Sequence, residues 1–304
     1  MKRLKQFKDE FVYWVGIFSG ICGIVEHFFV VPVWFKQLWL SIIGIFIIYG
    51  IYRFYEYIKS YFLSKQEWES LVKERIMNVL IRCHEYFHYI RNQVCGPTSD
   101  KIQDTHFINI CTTISDKIKE IYIELWNTKE LSVCIKRICT TTNMDDNFQN
   151  WEIETIARSS GTNPDRSRKD FSKRVSIGEN SDFYVIVSSK YEDISHFASQ
   201  DLTTIESDFL EQYKMEYKNS TSNFLQYYKS TIVVPIRISE TYINPGLRTK
   251  LNSSNENTFH IVGFLCIDTK DVYKDTDRFI EGIELAKSLS DSIYKIFENN
   301  LLYN

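Results

Sequence analysis

The sequence predicts an α+β protein in three parts: a two-helix transmembrane hairpin over residues 1–62, a helical stalk with the first helices of the following domain over 63–127, and an antiparallel sheet flanked by helices over 128–304. Three observations predict it. Two long uncharged runs lie close together near the N-terminus, and two apolar stripes at helical spacing follow them. Two short β-branched and aromatic runs, Tyr228 to Ser239 and Phe259 to Thr269, then read as an antiparallel hairpin near the C-terminus.

The whole chain narrows the classes further. At 304 residues with 44% hydrophobic content it is long enough for a sizeable core and too apolar to be mainly disordered. A net charge of −3 offers no global attraction for a nucleic-acid polymer, and none is expected as a partner. The 7 cysteines are odd in number, scattered and without a C-x-x-C pair, so neither a disulfide framework nor a zinc site is indicated, and a reducing compartment is expected for the soluble part.

Phe11 to Val25 carries no charge, Phe28 to Phe35 is apolar after Glu26 and His27, and Gln37 to Tyr52 is again uncharged after Lys36. A bilayer core of ~30 Å takes about 20 apolar residues per helix, which gives two short spans joined at Pro32 to Gln37. Lys2, Arg3, Lys5 and Lys8 precede the first span and Arg53, Lys59 and Lys65 follow the second, so the positive-inside rule puts both ends in the cytoplasm. The expected location is the cell inner membrane, with two passes and a cytosolic C-terminal domain. Gly16 and Gly20 give the first span a small-residue face for packing within or between hairpins. Glu26 and His27 are ionisable groups near membrane depth.

Trp68, Val72, Ile76, Val79, Cys83, Phe87, Ile90 and Val94 recur at steps of three and four and predict an amphipathic helix. Gly96 to Asp100 breaks it, and Phe107, Cys111, Ile114, Ile118, Ile121 and Leu125 mark a second helix. Leu131 to Cys139 and Trp151 to Ala157 read as strands, Ser159 to Asp170 as a loop, and Ser181 to Tyr228 as a mixture of helices and long loops. The connection from Glu240 to Thr258 is too long for a tight turn. Asp277 to Leu301 closes as an amphipathic helix with Phe279, Ile283, Ala286, Leu289, Ile293 and Phe297 inward, and no kinase, cyclase, phosphodiesterase or DNA-binding domain is expected after it.

Motifs for chemistry are sparse. His84-Glu85-Tyr86-Phe87-His88 satisfies H-E-x-x-H, the zinc-protease pattern, but Arg82 and the absence of a marked third ligand favour two shoulder histidines on a helix. His88 to Val94 faintly resembles a histidine-kinase phosphoacceptor box, which needs a separate ATP-binding domain. Nucleophile motifs, a P-loop and a dinucleotide fingerprint are absent, so no enzyme activity and no cofactor are expected.

The C-terminal hairpin also resembles the signature of GAF domains. Ser230, Val233, Val234, Pro235 and Ile236 match its first strand, and Gly263, Phe264, Leu265, Ile267, Asp268 and Thr269 match its second. The order of helices, two strands, a variable middle, a hairpin and a final helix is similar to the complete GAF arrangement. The resemblance implies a cavity between the sheet and the middle segment. On it would converge Arg158, Ser159 and Ser160 after the second strand, Asn180 and Phe183 at a helix start, Asp201, and Tyr228 with Ser230 entering the hairpin. A helix start capped by Asn180 or Ser181, with Arg158, Arg166, Arg168 and Lys169 nearby, suits an anionic ligand such as a nucleotide. The expectation is a membrane-anchored sensor or effector, at least dimeric, that binds a small molecule and signals to the hairpin. Its layout is similar to bacterial antiphage effectors that disturb the membrane. The rival expectation is a GAF-like dimerising adaptor that docks a separate signalling enzyme.

Overall fold

The computed structural model describes residues 70–95, 104–139, 148–162, 173–188, 195–239, 245–250 and 259–303, with a few single positions between 49 and 59. The expected transmembrane hairpin and its glycines lie outside the described residues, apart from those single positions. Among the described residues no helix is long and apolar enough to cross a membrane. The chain divides into two compact units, Met1–Lys73 and Glu74–Asn304, and the second is described below.

It opens with helix α1 (residues 70–95) and helix α2 (Asp104–Trp126), followed by strands β1 (Leu131–Cys139), β2 (Glu152–Arg158) and β3 (Val175–Ser176). The middle segment resolves into helix α3 (Ser181–Val187), strand β4 (Phe197–Ser199), helix α4 (Ile205–Tyr213) and short 3-10 turns. Strand β5 (Ser230–Ser239), helix α5 (Pro245–Lys250), strand β6 (Phe259–Thr269) and helix α6 (Thr276–Tyr303) complete it. The six strands run in the order β3-β2-β1-β6-β5-β4 with every neighbour antiparallel. The expected α+β arrangement, an antiparallel sheet flanked by helices, is therefore the observed one.

Both faces of the sheet are covered, which is why its central strands read as near-continuous apolar runs. Over the first face lie α1, α2 and α6, where Ile114, Ile118 and Tyr122 of α2 and Leu289, Ile293 and Phe297 of α6 pack on Val133, Ile135, Val234, Ile236, Leu265 and Ile267. Asn127, at φ 53°, turns the chain out of α2 into β1, a left-handed exit that asparagine tolerates better than most residues. Pro235 stands in β5 beyond the stretch Thr231 to Val233 that pairs with β4. It therefore occupies an edge position toward that side, where a missing N–H leaves no ladder bond unmade.

The stripe expected for α1 faces the core at Val79, Cys83, Ile90 and Val94 but departs from it at Ile76 and Phe87. Tyr86 and Ile90 are its buried residues, and the Tyr86 hydroxyl donates to the Leu289 carbonyl over 2.8 Å. Ile76 and Phe87, which the spacing placed inward, are 55% and 44% exposed. The chain offers apolar residues on both sides of this helix, and contact with α6 selects between them. Strands β3 and β4 had no strand-length signal, since two or three residues are too short for alternation to show.

Candidate functional site

The second face of the sheet carries the polar strand residues. Because the strands pair in register, Arg158, Cys134, Cys266, Val233 and Phe197 form one row across β2, β1, β6, β5 and β4. Asp268 and Thr231 stand in the next row, between Ser132 and Ser199. Lys136 lies opposite Thr155 on β2 and Phe264 on β6.

Above this floor, the start of α3 and the segment before β5 form a roof. Asn180 joins its parts: its Oδ1 accepts from the Ser220 amide (3.1 Å) and hydroxyl (2.8 Å), and its Nδ2 donates to the Ser176 carbonyl (3.2 Å). Ser181 N donates to Lys218 O over 2.9 Å, and Lys218 N returns a bond to Ser181 Oγ over 2.8 Å. Asn219 Nδ2 donates to the Tyr228 hydroxyl over 2.8 Å. Floor and roof enclose a cavity of about 380 Å³, lined by Cys134, Lys136, Thr155, Asp182, Thr231, Cys266 and Asp268 together with roof residues of both segments. Its size falls at the lower end of the ~300–1,000 Å³ of small-molecule sites.

The cavity brings opposite charges together. Lys136 Nζ donates to Thr155 Oγ1 over 3.0 Å and lies 5.7 Å from the centroid of the Phe183 ring. Burial pushes the Asp182 carboxyl up to about 7, against the charge of Lys136 and the Phe183 N–H, which bonds Asp182 Oδ1 over 3.1 Å. Thr231 Oγ1 donates to Asp268 Oδ1 over 2.8 Å. The Cys134 thiol is lowered from its ordinary value, first by a hydrogen bond with Cys266 and then by Arg158 and Lys136, against its burial. Burial drives Cys266 the other way, and the same hydrogen bond adds to that rise. One partner thus favours the thiolate and the other the thiol.

Of the residues singled out from the sequence, Asn180, Phe183 and Tyr228 line the cavity. Arg158 is buried beside Cys134 in the β1–β2 pair but is not part of the lining. Ser159 Oγ accepts from the Val133 amide over 3.0 Å, and the Ser160 amide donates to Asp116 Oδ1 over 2.6 Å, so both fasten the loop after β2. Asp201 caps a 3-10 turn by accepting from the Thr203 amide over 2.9 Å. The Ser230 hydroxyl has one proton to donate to either the Gln200 carbonyl (2.7 Å) or the Asp271 carbonyl (2.8 Å), and it accepts from the Tyr273 amide (2.8 Å), which ties these segments together away from the cavity.

Sequence reasoning missed Lys136, Cys134 and Cys266. A signal did exist for Lys136, which with Arg137 is one of two cations in a mainly apolar β1, and Cys134 shares its face by strand alternation. Outside the cavity, the His84 and His88 rings on α1 lie 6.2 Å apart, and His88 Nδ1 bonds Asn92 Nδ2 over 3.1 Å. Among the described residues no group of three or more His, Cys, Asp or Glu is placed to hold a metal ion.

No protein-family model and no curated protein matches this chain. Among solved structures, it is similar to one described as a GAF sensor protein from Burkholderia vietnamiensis, at 10% identity over 71% of this chain and 97% of that one, with a TM-score of 0.37. A structure of a GAF domain is 13% identical over 72% of this chain and 90% of its own, with a TM-score of 0.40. Free methionine-R-sulfoxide reductase from Neisseria meningitidis, solved in complex with its substrate, is 12% identical over 70% of this chain and 89% of its own, with a TM-score of 0.36.

Proposed function

We propose that residues 128–304 form a GAF-like domain that binds a small polar ligand in the cavity under α3, without catalysing a reaction on it. The observation that carries this reading is the placement of Lys136, Asp182 and Asp268 around one cleft. Ionisable groups are costly to bury, and a raised carboxyl beside a lysine in a cleft is the arrangement expected where a ligand completes the set of partners. The signature residues support the fold half of the proposal, since Ser230 to Ile236 lie in β5 and Gly263 to Thr269 in β6, paired along their length.

The lining suits a ligand with an anionic group for Lys136 and Lys173 and with donors for Asp182 and Asp268, a combination that a nucleotide carries. The test is calorimetric titration of the full-length protein in detergent with cyclic mononucleotides and dinucleotides. Lys136→Ala is expected to weaken the binding of whichever nucleotide the wild type takes up by about 1.5–3 kcal/mol, at least tenfold. Heats that are absent for every nucleotide, or equal in the variant, reject the proposal.

We also propose that residues 1–62 anchor the domain in the cell inner membrane with its bulk in the cytosol, and that ligand binding is transmitted to the hairpin, as a membrane effector in antiphage defence would do. The charge asymmetry of the uncharged runs supports the anchor. Depolarisation of expressing cells on addition of the ligand checks the output. A second reading, a dimerising adaptor that docks a separate enzyme, is favoured by the exposed apolar residues Ile76, Met77, Leu80 and Phe87 of α1. A stoichiometric partner in a pull-down, with no nucleotide bound, would select it.

A further inference from the structure

Cys134 and Cys266 are directly opposed residues of the antiparallel β1–β6 pair, and both line the same cavity. Opposed residues of such a pair have Cα atoms about 4.5–5.5 Å apart. A disulfide spans Cα separations of about 4.4–6.8 Å, so the pair lies within bridging range. Both side chains line the cavity although only 1% and 4% of their surfaces are exposed, which restricts access to molecules small enough to enter it. Arg158 opposes Cys134 on β2, and Lys136 follows two residues along β1, so the thiol of Cys134 sits among cations. The other described cysteines lack this setting: Cys139 opposes Glu152, and burial raises Cys83 and Cys111.

We propose that Cys134 and Cys266 are a reversible dithiol–disulfide pair on the cavity floor, oxidised by a hydroperoxide that enters the cavity. The proposal does not depend on a nucleotide occupying the same space. Cys134 ionises, and its thiolate attacks the nearer peroxide oxygen. The O–O bond breaks, Cys134 becomes a sulfenic acid, and the departing hydroxide or alkoxide takes up the proton that Cys134 released. Cys266 then attacks Cys134 Sγ, the S–O bond breaks, and the hydroxyl leaves as water with the Cys266 proton. Two thiols and one hydroperoxide thereby give one disulfide, one water and one alcohol, or a second water when the oxidant is hydrogen peroxide. The two sulfurs have divided roles, since the attacking group must be a thiolate and its partner supplies the proton. A dithiol reductant returns the pair to its starting state by exchange.

The test uses the full-length protein in detergent, reduced and then treated with hydrogen peroxide, alkylated under denaturing conditions and mapped by mass spectrometry. The expected result is loss of alkylation at both positions and a peptide pair joined through Cys134 and Cys266, lighter by two hydrogens and separated by dithiothreitol. In Cys266→Ser, dimedone is expected to label Cys134, whereas in Cys134→Ser it should leave Cys266 unlabelled. Full alkylation of both cysteines after peroxide, or a bridge from either to another cysteine, overturns the proposal. The wild-type map decides the question alone if a serine variant does not fold.

Discussion

Asp182 is held in the roof of the cavity with its carboxyl buried and its ionisation pushed up to about 7. An unfolded chain ionises this carboxyl near the ordinary aspartate value, so the native state binds the extra proton between about 4 and 7. The contribution of Asp182 to stability is therefore complete below about pH 4 and is lost as pH rises through about 7. Asp182→Asn is expected to be nearly neutral at pH 4 and to stabilise the ligand-free protein by up to about 4 kcal/mol above pH 7. Denaturant unfolding across that range checks it, and a difference independent of pH would mean that the carboxyl titrates normally. Ser230 makes the contrasting case. Its hydroxyl sits among Gln200, Asp271 and Tyr273, but the Tyr273 amide also bonds the Gln200 carbonyl and Thr269 Oγ1 also bonds the Asp271 carbonyl, so Ser230→Ala should cost only about 0.5–1.5 kcal/mol in stability. It should leave nucleotide binding unchanged, since Ser230 lies outside the lining.

Among the elements, β6 tolerates little change, because it pairs with β1 on one side and β5 on the other. Gly263 marks the point where α6 presses on it: a Cβ there would collide with the Lys136 carbonyl oxygen and come within 2.9 Å of the Phe297 ring. Gly263→Ala is expected to destabilise by about 3 kcal/mol or more, read from urea unfolding, because backbone on one side and a packed ring on the other leave no room for repacking. An effect below about 1 kcal/mol would show that the strands part more easily than their pairing suggests. The long elements were legible in advance. Leu131 to Cys139 was expected as a strand over the range it occupies, and α2 and α6 differ from expectation only at their ends. Their length lets periodicity accumulate. The short strands β3 and β4 and helix α3 owe their form to neighbours, as when Ser181 and Lys218 bond across the roof.

At the scale of the molecule, residues 1–62, proposed above as an anchor, belong to a different unit from the cavity. Full-length protein is expected to stay with membranes through alkaline carbonate extraction and to be released from them when residues 1–62 are removed, measured by fractionation and immunoblot. A full-length chain recovered in the supernatant would remove the anchor. The sequence by itself determined the class of the Glu74–Asn304 unit, an antiparallel sheet flanked by helices, because apolar periodicity is a local property that each long element carries within its own residues. Only the tertiary structure decided which residues share the cavity. Cys134, Asp182 and Cys266 are far apart in the chain, and strand register and the bonds that close the roof bring them together. Tyr86 shows the same division on the opposite face: the helix and most of its inward stripe were legible, but the burial of Tyr86 depends on contact with Leu289, more than two hundred residues away.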